Sequence, residues 1–281
     1  MAMLRQTAKY ARSLCRGFML NRRGAKAPME RVSNAPAAVV APHPDDEVFG
    51  AGGLIAAKRQ VGARVSVIYL TQGEASHRNC CGVSEREIAS TRRGLAEAAG
   101  KILGVAKSDL YWMALPDGGI PGPDREGFGQ ATRQLAELLT RIQPAEIYIP
   151  HPMEPLGDHQ AASRLAQAAV ESMGLAQGLH YYLVWAWCNL PMSDLDRMNW
   201  PNAWRLDIAD GRSRKRAAVR AYMDCIAPCG NPYCGVLPHG LVSAAGKSYE
   251  LFVFAGQPGS SSVTCAGLAA SRPQIAPKRI E

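Results

Sequence analysis

The sequence predicts an α/β fold, a mostly parallel sheet covered by helices on both faces. Three observations predict it. Four short apolar runs are each followed by a longer stretch of helical periodicity, and this strand-to-helix spacing repeats from residue 37 to residue 172. The runs are nearly continuous in apolar residues rather than alternating, as strands buried on both faces require. The 281 residues, 47% of them hydrophobic, suffice for one large core.

In chain order, "AAVVAPH" (37–43) reads as the first strand, with a helix over 49–60. "RVSVIYL" (64–70) is followed by a helix over 85–103, "DLYWMAL" (109–115) by one over 129–142, and "AEIYIP" (145–150) by one over 158–172. Further on, "YYLVWAW" (181–187), "AWRLDI" (203–208) and "SYELFVF" (248–254) read as additional C-terminal edge strands, with a basic helix over 212–224. The expected architecture is a Rossmann-like three-layer sandwich, whose functional loops gather at the carboxyl ends of the strands. Three segments follow: a basic, flexible leader over 1–34, the α/β domain over 35–256, and a polar flexible tail over 257–281.

The formal charge of +8 suggests a nucleic-acid partner until it is located. Residues 1–31 carry eight Lys or Arg and one acid, so that segment holds seven of the eight charges. The rest is nearly balanced and offers no broad positive surface to a phosphate backbone, which excludes nucleic acid as the partner of the domain. In the leader, Leu4, Ala8, Ala11, Cys15 and Phe18 recur at helical spacing beside Arg5, Lys9, Arg12 and Arg16. Two readings stay open, a solvated helix or peripheral contact of residues 1–20 with an anionic membrane surface. No run of about 18 apolar residues exists to span a bilayer.

Eight cysteines are too sparse and irregular for a secreted disulfide scaffold, and a cytoplasmic, reducing setting fits them. Cys225, Cys229, Cys234 and His239 miss the spacing of a zinc knuckle and read as a Pro- and Gly-rich loop with packed thiols.

The chemistry concentrates in "APHPDDEVFGAGG" (41–53), which places a His, two adjacent Asp and a Glu between the first strand and its helix. Zinc takes imidazole and carboxylate ligands, three from the protein at a catalytic site. His43 and Asp46 supply two. Consecutive carboxylates do not easily reach one ion, so Asp45 is left to act as general base. The glycines would let backbone approach the site. After the fourth strand, "HPMEPLGDHQAA" (151–162) offers His159 as third ligand and Asp158 as the acid that orients its neighbours. His151 is a candidate to stabilise an oxyanion. Glu74, His77, Arg78 and Asp117 could line a sugar pocket, whereas Trp185, Trp187, Trp200 and Trp204 read as packing residues.

The residues "HPDDE" and the later "DH" resemble the two motifs of the PIG-L/LmbE-like family of zinc-dependent N-acetylglucosaminyl deacetylases. "TQGEA" (71–75), "RRGLAEAAGKILGV" (92–105), "LPDG" (115–118) and "KRAAVRAY" (215–222) extend the likeness over roughly residues 38–254. The resemblance implies a Zn²⁺ ion held by His43, Asp46 and His159, with Asp45 as general base and Arg92 in contact with substrate. It further implies deacetylation of an N-acetylated amino sugar, free or carried on a nucleotide, lipid, inositol or antibiotic core. The family's second motif often has a further His where this chain has Leu156, and His151 is the natural substitute. Two alternatives share the scaffold: a non-catalytic carbohydrate-binding module and a thiol-conjugate amidase.

Overall fold

The computed structural model describes residues 2–78, 80–174 and 178–256, with side chains from residue 13 onward. Its strands are β1 (Met29–Glu30), β2 (Ala37–Ala41), β3 (Val65–Tyr69), β4 (Leu110–Trp112), β5 (Glu146–Pro150), β6 (Leu179–Tyr182), β7 (Ala203–Asp207) and β8 (Tyr249–Phe254). The α-helices are α1 (Ala2–Gly24), α2 (Asp46–Gln60), α3 (Glu85–Leu103), α4 (Phe128–Ile142), α5 (Gly157–Ser172), α6 (Ala186–Asn189), α7 (Met192–Leu195), α8 (Arg212–Met223) and α9 (His239–Ala245). One sheet takes the order β1-β7-β8-β6-β5-β2-β3-β4. β6, β5, β2, β3 and β4 are parallel, while β8 runs antiparallel to both β6 and β7. The C-terminal strands therefore extend the sheet on one side, and β1 takes the outermost position.

Residue alternation in the central strands explains the three layers. Val39, Val67 and Tyr69 face Val48 and Leu54 of α2, Ala96 and Leu103 of α3 and Tyr222 of α8. Val40, Ile68, Leu70, Ile147 and Ile149 face the other way, onto Leu135 and Leu139 of α4 and Leu165 of α5. Both faces of every central strand are buried, which is why the runs carry no polar alternation. α3 starts and stops where its sequence says it should: Ser84 accepts the Glu87 backbone N–H (3.2 Å), and Gly104 ends the helix at φ +87°.

Three expectations need correction. The strand expected over 181–187 begins at Leu179 and stops at Tyr182, because the backbone N–H groups of Val184, Trp185 and Ala186 turn away to a buried carboxylate, that of Glu154. The leader does not hang free: α1 buries Leu20 with Leu183, Trp187 and Leu251, and Asn21 accepts from Lys247 and Tyr249. Leu14 and Phe18 of this helix are exposed. The glycines of α2 serve packing: a Cβ on Gly50 would lie 2.2 Å from the Tyr182 ring, and one on Gly53 2.6 Å from Ile208. The tail over 257–281 lies outside the described residues. Among the described residues, no helix is long and apolar enough to cross a membrane.

Buried His180 contributes to the acid sensitivity of the fold. His180 of β6 stacks on Tyr148 at 4.9 Å and meets Trp204 and Phe254, and its Nδ1 has no partner. Burial pushes its pKa from 6.5 down to about 4. As pH falls below 6.5 the unfolded chain takes up a proton that the folded chain refuses. Stability is therefore full above 6.5 and is lost on the way down to 4, by about 1.4 kcal/mol per pH unit. His180→Phe is expected to remove this residue's share of the slope and to leave that of His151, which burial also pushes down to about 4. In urea unfolding at a series of pH values, the variant should gain on the wild type by roughly 3 kcal/mol near pH 4. Parallel curves for the two proteins would refute the assignment.

Candidate metal centre

The sheet order reverses beside β2: the chain goes to β3 and β4 on one side, then returns to place β5 on the other. Loops leaving the carboxyl ends of β2 and β5 meet at such a switch point. Here they bring together "HPDD" from β2 and "DH" from the start of α5. The His43 and His159 rings stand with centroids 5.6 Å apart. Asp46 Oδ2 lies between them, 3.2 Å from His43 Nδ1 and 3.3 Å from His159 Nε2. All three residues offer a ligand atom within 4.8 Å of the others. Donors around one tetrahedral zinc at about 2.0–2.1 Å are spaced by roughly 3.3 Å, so these separations fit the ion.

Unpartnered atoms give the second test of fit. His159 is fully buried, yet neither ring nitrogen makes a hydrogen bond, although Glu154 Oε2 stands 3.4 Å from Nδ1 at ion-pair distance. A cation shared with His43 and Asp46 would take up the lone pair of this ring. His43 is already oriented for this. Its Nε2 faces Asp117 Oδ1 and Asp158 Oδ2, both at 3.1 Å, which fixes the proton there and leaves Nδ1 as the donor atom. Asp158 is itself held by the backbone N–H groups of Gly118 (2.7 Å) and Ile120 (3.3 Å), and Asp117 by that of Ala75 (2.6 Å). Burial opposes charge on Asp46, but His159 and His43 outweigh it and hold the carboxyl well below the usual range. Burial likewise works against a charged His159, yet Asp46 lifts it to about 9.

Asp45 is built differently from its neighbour. Its backbone sits at φ +122°, a conformation that costs a non-glycine residue about 1–3 kcal/mol and is kept only where surroundings impose it. Glu47 Oε2 accepts the Asp45 N–H (2.8 Å), and Tyr222 donates to Glu47 Oε1 (2.7 Å). Burial pushes the Asp45 carboxyl up to about 8, against the pull of Arg92, whose Nη2 stands 3.2 Å from Oδ2. Arg92 is itself buried, donating also to the carbonyls of Pro44 and Gly73. A cavity of about 200 Å³ opens onto His43, Asp45, Asp46, Arg92, Asp117 and Trp185.

Of the residues singled out from sequence, His43, Asp45, Asp46, Arg92, Asp158 and His159 are thus brought together. His151 is not. Its ring meets Tyr181 edge-on, Nδ1 accepts the Met153 N–H (3.1 Å), and burial pushes its pKa down to about 4. Leu156 lines the cavity instead. Asp117, a pocket candidate on sequence grounds, also holds His43, a role that the sequence does not signal. Glu74 supports that loop, accepting the Asp117 N–H (3.0 Å). Glu47 lies inside the "HPDDE" motif but its role in holding the Asp45 N–H carries no sequence signal, and Glu154 carries none beyond being an acid near a motif. Trp185 is the tryptophan of the four that borders the cavity; Trp204 stacks on Phe252 in the sheet.

Fold and site together define an LmbE-like α/β protein, a Rossmann-like sandwich with an Asp- and His-rich centre at its switch point. Residues 38–170 match the model of the PIG-L family, described as GlcNAc-PI de-N-acetylase. The conserved protein TT1542 from Thermus thermophilus is 27% identical, with a TM-score of 0.58 over 80% of this chain and 96% of its own. The N,N'-diacetylchitobiose deacetylase from Pyrococcus horikoshii is 23% identical, with a TM-score of 0.51 over 72% of each chain. GalB, the 4-carboxy-2-hydroxymuconate hydratase from Pseudomonas putida, is 24% identical, with a TM-score of 0.53 over 66% of this chain and 78% of its own. The last two speak to the fold alone, and they show it carrying different chemistries.

Proposed function

We propose that the protein is a zinc-dependent hydrolase that removes an acetyl group from the amide nitrogen of an N-acetylglucosamine-type amino sugar or its conjugate. The observation that carries this reading is Asp45, a buried carboxyl held at a strained backbone position beside His43 and Asp46 on the cavity wall, with the fully buried His159 completing the donor set. His43, Asp46 and His159 would hold zinc, which supplies Lewis acidity, making water more acidic and polarising a carbonyl oxygen. Asp45 takes the proton of the attacking water and returns it to the departing amine. Arg92 positions the Asp45 carboxylate and borders the space left for substrate. Asp158 and Asp117 hold the His43 Nε2–H so that Nδ1 faces Asp46 and His159. His151 has no part in this scheme, and Leu156 gives the cavity an apolar wall where related motifs often have His.

The products are acetate and a free amine. Incubation with zinc and a panel of N-acetylglucosamine conjugates, including lipid- and inositol-linked ones, should release both in equal amounts. Chelation should stop release and zinc restore it. Binding of the sugars without acetate release by the zinc-loaded protein would instead support a carbohydrate-binding module.

A further inference from the structure

A second set of donors assembles where the loop after β3 meets the loop after α8. His77, Cys80, Cys81 and Cys229 each present a ligand atom, and these atoms all lie within 4.8 Å of one another. Local geometry explains the first three. The Cys80 N–H donates to the His77 carbonyl (3.0 Å), a turn of helical pitch, and residues three and four apart on such a turn share a side. Cys229 arrives on a tight loop closed by the bridge between Ile226 and Pro232, with Gly230 at φ +84° and its N–H on the Ala227 carbonyl (2.9 Å).

The imidazole is set for ligation. His77 is 2% exposed, and its Nε2 lies 2.9 Å from the Pro232 carbonyl, which only accepts, so the ring proton resides there. Nδ1 keeps its lone pair and faces Cys229 Sγ at 3.4 Å and Cys81 Sγ at 3.8 Å. The Asn231 side-chain amide stands 3.6 Å from Cys229 Sγ as a donor. All three cysteines are free thiols.

We propose that His77 Nδ1 and the sulfurs of Cys80, Cys81 and Cys229 form a structural zinc site, separate from the centre at His43, Asp46 and His159. Three thiolates and an imidazole are a closed tetrahedral set with no position left for substrate, and soft sulfur ligands select zinc over magnesium or calcium. Sulfurs around one zinc at about 2.3 Å are spaced by roughly 3.8 Å, the scale of this cluster. The ligands differ from the Cys225, Cys229, Cys234 and His239 cluster, whose spacing does not fit a zinc knuckle: Cys234 is buried, with Sγ near the Tyr222 carbonyl (3.8 Å), and is not among the four. The ion would staple two loops that both wall the cavity, Ala75 and Ser76 on one and Cys234 and Leu237 on the other. These loops are otherwise linked by the Ser76 hydroxyl on the Tyr233 carbonyl (3.0 Å) and the His77 contact to Pro232. Zinc here thus sets the shape of the cavity rim without touching the reaction.

The test is cobalt and zinc loading of the full chain, purified under reducing conditions. Wild type should bind a second metal equivalent and show thiolate-to-cobalt charge-transfer absorption in the near ultraviolet. Cys229→Ser and Cys81→Ser should each lose that absorption and one equivalent. His159→Ala should lose the other equivalent and keep the absorption, which separates this site from the catalytic proposal. Thiol titration guards against misfolded variants, because in wild type zinc should protect the three cysteines and chelation should expose them. Folded wild type that shows no charge-transfer band, or a disulfide among these cysteines in the reduced preparation, would overturn the proposal.

Discussion

Replacing Asp45 by Asn should cost turnover about 10²–10⁴-fold, the range for removing a positioned general acid–base group, while metal content stays unchanged. The substitution is suited to the question. Asn tolerates positive φ better than most residues, so the strained backbone at φ +122° survives. The side chain keeps its shape, and Arg92 keeps its bonds to the Pro44 and Gly73 carbonyls. What is lost is the ability to take and return a proton. Acetate release gives kcat, and metal analysis with a thermal melt shows whether the site and the fold persist. Turnover within a few-fold of wild type, with metal bound, would remove Asp45 from the chemistry.

Glu154→Ala should have the largest effect on stability. This carboxylate is fully buried and accepts the backbone N–H groups of Val184 (2.8 Å), Trp185 (2.8 Å) and Ala186 (3.2 Å). It also stands behind His159 at 3.4 Å. Truncation strands three buried donors in the turn between β6 and α6 and leaves a void. Each stranded donor costs about 1–3 kcal/mol, so a total of roughly 3–9 kcal/mol is expected. In a chain of this size that lowers Tm by on the order of 10 °C. Zinc affinity should fall about 10- to 100-fold as well, because an acid behind a ligating imidazole orients it and raises its basicity. Thermal unfolding and zinc titration read the two effects separately. A melt within a degree or two of wild type would show that water replaces the carboxylate there.

Much of the fold was legible because the central strands are buried on both faces. Their residues had to be continuously apolar, and the helices between them carry a stripe such as Ala131, Leu135, Leu138, Leu139 and Ile142 of α4. Where a three-dimensional partner decided the outcome, the reading failed. "YYLVWAW" has good strand character, but the chain leaves the sheet after Tyr182 because Glu154, from the loop after β5, claims the next N–H groups. β1 is two residues long and exists because β7 is beside it. The site divides in the same way. The density of acids and histidines at 43–46 and 158–159 has no packing explanation, so ligand chemistry and the likeness to two family motifs singled them out. His151 satisfied the same chemical criteria and points elsewhere, since nothing in composition encodes the direction of a ring.

The sequence by itself determined the layered class of the fold, through the apolar continuity of its strands, and set His43, Asp45, Asp46 and His159 in two short loops as candidates for ligand and proton chemistry. Tertiary structure alone decided which atoms meet: Asp117 and Asp158 on the far nitrogen of His43, Arg92 on Asp45, Glu154 behind His159, and His77 with Cys80, Cys81 and Cys229. Pattern and composition act over a few residues. A hydrogen bond or a metal shell joins groups that only the folded chain brings within reach, and its geometry is written nowhere along the chain.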